Sequence, residues 1–214
     1  SKNLSILFEA CDGVLNDVDR GSYPHVMPLS SLPAAALTGT GLRWNYPMRK
    51  IGVVKAYSTR NDRGPFVTEE SNAVAAFIRN RGKEFSGVSR EPRRVGWLDL
   101  PAIKYAIKES GVHSLALTKL DVLTGIDEIK VCSAYDVGGE VKDVPDIAGR
   151  DMCDARPVYR TFEGWKEDLS VCRDLKNLPV QVKEYIEFIE EETGIPVIWI
   201  GLGADWGKAL FIRR

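Results

Sequence analysis

The segment Leu115-Ala116-Leu117-Thr118-Lys119-Leu120-Asp121 constrains this chain more than any other. An apolar run ending in T-K-x-D reads as a buried strand whose carboxyl end opens onto a lysine and a carboxylate. A strand without polar alternation is buried rather than half-exposed. Residues 4–8, 51–57, 115–118, 129–134 and 197–201 read as strands, and 69–79, 101–108 and 181–192 carry helical patterns. Together they predict an α/β fold, a mixed and mostly parallel sheet flanked by helices. In the last helix Val182, Tyr185, Ile186 and Ile189 share one face, with Pro179 near its start and Gly194 just past its end. Val137-Gly138-Gly139-Glu140 reads as a hairpin turn, and the polar stretch 142–157 as an exposed, irregular connection.

A chain of 214 residues with 44% hydrophobic content can bury a substantial core and fits a single domain, residues 1–214. With 29 basic and 30 acidic residues its formal charge is -1, which argues against a nucleic-acid stripe or an anionic membrane surface. Cys11, Cys132, Cys153 and Cys172 lack metal-ligand spacing, and only two histidines are present, so reduced thiols in the cytoplasm are expected. No signal peptide opens the chain, and no apolar run approaches the roughly 20 residues of a membrane span.

The T-K-x-D pair suits one base in particular. A carboxylate such as Asp121 accepts hydrogen bonds from the N1–H and the 2-amino group of guanine together, a donor pair adenine lacks. The aliphatic stem of Lys119 would cover the ring face while its ammonium stays solvated. Gly201 and Gly203, after the 197–201 strand, would let backbone approach the base closely.

Neighbouring segments give this motif its weight. Arg93-Arg94-Val95-Gly96-Trp97-Leu98-Asp99-Leu100 precedes it, and Ile129-Lys130-Val131-Cys132-Ser133-Ala134-Tyr135 follows. Val53-Val54-Lys55-Ala56-Tyr57-Ser58-Thr59-Arg60, Gly64-Pro65-Phe66 and Gly164-Trp165 add to the pattern. Together they resemble the carboxy-terminal half of adenylosuccinate synthetase, the GTP-dependent ligase that joins aspartate to IMP. The resemblance covers nearly the whole chain and implies a guanine pocket at Lys119, Asp121, Gly201 and Gly203. It further implies a dimer, or a partner chain that completes the site.

Ser86-Gly87-Val88-Ser89-Arg90-Glu91-Pro92-Arg93-Arg94 resembles the family's aspartate-binding loop, in which two arginines grip a carboxylate with planar forks. Arg93 keeps the second arginine position and is expected in the GTP-binding set, whereas Glu91 replaces the first arginine. Ser89 keeps one hydroxyl of a threonine pair. In Glu9-Ala10-Cys11-Asp12-Gly13 the family's E-G-A-Q-G has become a segment with Asp12 in place of the glutamine that touches IMP, and Met27 stands where a threonine would meet its phosphate. These changes argue against IMP and aspartate being held in the family's manner, since a thioether donates no hydrogen bond and an added carboxylate repels a phosphate. Arg60, with Lys55 and Thr59, borders the nucleotide site in the family and joins Ser89, Asp12 and Glu91 as expected substrate-binding residues. Trp97 and Asp99 read as structural.

The family's glycine-rich phosphate loop, G-D-E-G-K-G-K, has no counterpart in residues 1–214. Ser1-Lys2-Asn3 reads as entry midway into a longer sequence. No catalytic or metal-ligating residue is therefore expected here, and Mg²⁺ would enter only with the phosphate-loop part. Three accounts stay open: part of a split or longer ligase, a GTP-binding homologue without ligase activity, and a ligase with a changed acceptor.

Overall fold

The computed structural model describes residues 5–43, 45, 47–87, 89–144, 151–205 and 207–212. In chain order the strands are β1 (Ile51–Lys55), β2 (Ser58–Arg60), β3 (Glu69–Glu70), β4 (Arg94–Gly96), β5 (Leu98–Asp99), β6 (Ser114–Thr118), β7 (Glu128–Val137), β8 (Glu140–Lys142), β9 (Arg156–Glu163), β10 (Val197–Gly201) and β11 (Ala209–Phe211). The helices are α1 (Pro33–Thr40), α2 (Ala73–Gly82), α3 (Leu100–Ser110), α4 (Asp151–Asp154) and α5 (Val180–Thr193).

The apolar run that opens the T-K-x-D segment becomes β6, buried from Ser114 to Leu117. It lies second in a sheet of order β1-β6-β10-β11, parallel to both neighbours, with only β11 antiparallel. Two smaller sheets adjoin it: β2-β4-β3 is antiparallel, while β7 pairs with β5 in parallel and with β8 and β9 in antiparallel register. The expected class, a mostly parallel central sheet flanked by helices, is the one observed. β7 and β8 turn at Gly138-Gly139, both in the left-handed region, as the sequence predicts.

Each long helix starts and stops where its chemistry directs. The Asn72 side chain accepts from the Val74 and Ala75 amides, and the Asp99 carboxylate accepts from the Ala102 amide. Gly111 and Gly194 close α3 and α5 in the left-handed conformation. The face of α5 read from the sequence is buried, and the Tyr185 hydroxyl donates to the Ala56 carbonyl at 2.7 Å. Phe162 and Trp165 pack edge-on against Tyr185. Gly164 holds that corner, because a Cβ there would lie 1.7 Å from the Ile126 carbonyl oxygen.

Three expectations need correction. Residues 69–79 do not form one helix: Glu69 and Glu70 pair with Gly96 and Val95 as β3, and the helix waits for the Asn72 cap. Leu4 lies outside the described residues, but residues 5–8 form no strand. They have no ladder partner there, and Ile6 and Leu7 are 60% and 91% exposed. The stretch 142–157 is only partly irregular; 145–150 lie outside the described residues, but α4 follows and buries Met152 beside Cys132 and Tyr135. Among the described residues no helix is long and apolar enough to cross a membrane.

Candidate functional site at the sheet edge

Parallel pairing places the carboxyl ends of β1, β6 and β10 along one edge, with Lys55 opposite Thr118 and Ile200 opposite Leu117. Ligands of open α/β sheets gather at such an edge because loops, rather than ladder bonds, leave the strands there. Lys119 follows β6 in the left-handed conformation, with φ 63°, and the 3₁₀ turn Leu120–Leu123 comes next. Leu120, Val122 and Leu123 are buried in that turn, which leaves Asp121 as its half-exposed member. Burial pushes the Asp121 carboxyl above its ordinary pKa, against the opposing pull of its own backbone amide, Lys119 and Arg81. Among the described residues no other residue donates a hydrogen bond to it.

Gly201 ends β10 against this mouth; a Cβ on it would lie 3.2 Å from the Trp199 ring and 3.5 Å from the Thr118 Cα. Gly203 lies just beyond, where a Cβ would meet the Lys208 side chain at 3.0 Å. Neither has a positive φ, so closeness rather than backbone freedom accounts for both glycines.

The Lys119 ammonium departs from its expected solvated place. It donates to the Gly82 carbonyl at 2.6 Å and lies 3.3 Å from Glu84 Oε1. Glu84, 2% exposed, is the hub of the edge. Lys55 Nζ reaches both of its oxygens at 2.8 Å, the buried Tyr57 hydroxyl donates at 2.7 Å, and Arg93 Nη1 donates at 3.2 Å. Burial alone would raise the Glu84 carboxyl, but Lys55, Tyr57 and Lys119 outweigh it and hold the pKa below the ordinary value. Lys55, expected to border the nucleotide site, is neither free nor fully exposed. Its Nζ also touches Thr59 Oγ1.

Arg93 closes the expected carboxylate loop. Its amide donates to the Glu84 carbonyl, its carbonyl accepts from Arg79 Nε, and its own Nε is buried without a partner. Between Glu84 and Arg93 the chain makes a short hairpin, with Ser86 N donating to the Glu91 carbonyl and Arg90 N to Ser86 O. Ser89 and Glu91 face each other on this exposed tip, Ser89 Oγ accepting from Glu91 N at 3.4 Å and reaching its Oε2 at 3.5 Å. Val88 lies outside the described residues.

The remaining expected residues stand apart. Arg60 is buried and makes four hydrogen bonds, to Asp62, the Pro65 carbonyl, Ser22 Oγ and the His25 carbonyl. Four of its five donors are thus spent within this chain, which makes it an internal clamp in this structure. Asp12 sits on an exposed loop with φ 68°, its Oδ2 accepting from the Cys11 thiol. That loop is organised by Asp17, whose buried carboxylate accepts from Asp19 N, Arg20 N, Ser30 Oγ and Ser31 N. Lys119, Asp121 and Gly201 thus lie at one strand edge, Gly203 follows two residues on beside Lys208, and Arg93 joins Lys119 through Glu84. Sequence reasoning missed Glu84 itself; a single glutamate after a helix carries no signal until its partners are known. Two surface clefts of about 290 and 400 Å³ lie elsewhere, one beside Pro33 and Lys50 and the other beside Arg160 and Phe188.

Known proteins resemble this chain in sequence and in fold. The sequence profile of the family "Adenylosuccinate synthetase" matches residues 1–209. The adenylosuccinate synthetase of Borrelia duttonii is 40% identical over 206 residues, 96% of this chain and 48% of that protein. The Cytophaga hutchinsonii synthetase is 44% identical over 208 residues, with the same shares covered. In three dimensions the fully ligated adenylosuccinate synthetase of Plasmodium falciparum superposes with a TM-score of 0.92 at 34% identity, over 96% of this chain and 49% of that one. The succinoaminodeoxyadenylate synthetase of cyanophage S-2L shares the fold, with a TM-score of 0.56 at 15% identity over 94% of this chain and 45% of that one. This chain belongs to the adenylosuccinate synthetase family and spans about half the length of the relatives it matches.

Proposed function

We propose that residues 1–214 act as one domain that supplies the guanine pocket and the carboxylate loop of an adenylosuccinate-synthetase-type ligase of purine nucleotide biosynthesis. The observation that carries this reading is the Asp121 carboxylate, half-buried at the mouth of β6, with Lys119 two residues before it and Gly201 packed against Thr118 at the same strand end. Asp121 would accept from N1–H and the 2-amino group of GTP, and the stem of Lys119 would lie along the base. Arg93, whose side chain is 30% exposed beside the loop, would meet an incoming anion with the outer part of its guanidinium.

The phosphate loop would come from a part of the enzyme other than residues 1–214, in the same polypeptide or in a partner chain. Among the described residues no group of three or more His, Cys, Asp or Glu is placed to hold a metal ion. Homodimer formation and a cytoplasmic location follow from the family reading and are part of the proposal.

A second reading, GTP binding without adenylosuccinate formation or with a changed acceptor, is favoured by Asp12, Met27 and Glu91. The first two sit on the exposed loop organised by Asp17, and Glu91 turns to Ser89. Calorimetric titration of residues 1–214 with GTP and with ATP tests the guanine site. GTP-selective binding that Asp121→Ala abolishes is expected; equal affinity for ATP, or none for GTP, refutes it. Adding a phosphate-loop half from a relative and assaying ligation of aspartate to IMP then separates the two readings. The chain alone is expected to show no turnover.

A further inference from the structure

Two carboxylates compete for one lysine at the mouth of β6. Lys119 is two residues from Asp121, and an ammonium that settled on Asp121 would occupy the acceptors a guanine edge needs. The Lys119 ammonium instead turns to the Gly82 carbonyl and Glu84 Oε1. Glu84 is fixed there independently of Lys119, by Lys55 on both oxygens, by Tyr57 and by Arg93. Gly82 is part of the arrangement, since a Cβ on it would lie 2.3 Å from the Tyr57 hydroxyl that holds Glu84.

We propose that Glu84 is a specificity-determining positioning residue: it draws the Lys119 ammonium to the α2 side of the strand mouth and so keeps the Asp121 carboxylate open to guanine. The inference rests on the guanine reading above and goes beyond it, because Glu84 itself touches no base. A glutamine at 84 would keep the shape but not the charge, and Lys119, left with the Gly82 carbonyl, would be free to turn to Asp121. An ion pair there competes with the 2-amino group of guanine.

The test compares GTP with ITP, whose base keeps N1–H and lacks the 2-amino group. Affinities for both are measured by calorimetry on the parent, Glu84→Gln, Lys119→Met and the double variant, with a thermal melt of each as a folding control. Glu84→Gln is expected to lose about tenfold in GTP affinity and most of the GTP-over-ITP preference. Lys119→Met on that background is expected to restore the preference, because no ammonium then competes for Asp121; a purely structural role for Glu84 would give no such rescue. A folded Glu84→Gln protein that keeps the preference, or a double variant that does not regain it, overturns the proposal. Should Glu84→Gln not fold, Glu84→Asp, which keeps the buried charge and draws it back from Lys119, decides on the same preference. A parent without any GTP-over-ITP preference refutes the guanine reading itself and takes this inference with it.

Discussion

Replacing Asp99 by asparagine should change how stability depends on pH, and by an amount the structure supplies. Asp99 is buried at the start of α3, where it accepts the Ala102 amide and the Tyr135 hydroxyl. Burial pushes its carboxyl from 3.8 up to about 6, with those two hydrogen bonds pulling the other way. A raised folded-state pKa means the native state holds its proton longer than the unfolded chain. Stability from this group is therefore full below about pH 4, is lost as pH rises to about 6, and stays lost above that. A shift of about 2 units corresponds to about 3 kcal/mol, or roughly 6–12 °C in Tm for a chain of this size. Asparagine stays neutral and still accepts from Ala102, while its amide can donate to Tyr135 in place of the reverse bond. Melts of Asp99→Asn and parent from pH 4 to pH 8 test this, other titrating groups cancelling in the difference. The variant is expected to gain on the parent by about 3 kcal/mol between pH 4 and pH 7. Parallel curves would refute the reasoning.

Asp17 has the opposite sign: burial opposes but Ser30 and three backbone amides lower its pKa, so its contribution is lost as pH falls below about 4. Asp17→Asn should flatten the acid limb of stability and cost about 2 kcal/mol at neutral pH, read from urea midpoints. Gly164→Ala drives a Cβ into the Ile126 carbonyl oxygen and should cost about 3 kcal/mol or more, visible as a large fall in Tm. Arg60→Lys cannot reproduce the fork that joins Ser22, His25, Asp62 and Pro65; proteolysis within residues 12–31 should speed up several-fold while GTP affinity changes little. Asp121→Ala should leave the melt within about 1 kcal/mol of the parent, which would separate its binding role from any role in the fold.

Local rules were legible in the sequence wherever one residue type settles the backbone. The unbroken apolar run of β6 announced a buried strand, and Pro179 with Gly194 bracketed α5 to within a residue or two. Asp99 was read as structural, and it caps α3. The T-K-x-D order was enough to place a lysine and a carboxylate at a strand mouth, because strand direction and the turn after it follow from the run itself. What the sequence could not show was where long side chains would go once distant segments met. Glu84 and Lys55 lie 29 residues apart, and Arg60 and Ser22 lie 38 apart, so neither contact has a local signature. Residues 5–8 look strand-like because apolarity is a local property, but a strand needs a ladder partner that only the tertiary fold can provide. Charge pairing behaves the same way. The chain as a chain determined that a lysine and an aspartate would stand at the end of β6, and the tertiary structure alone decided that the lysine would turn to Glu84 and leave the aspartate open.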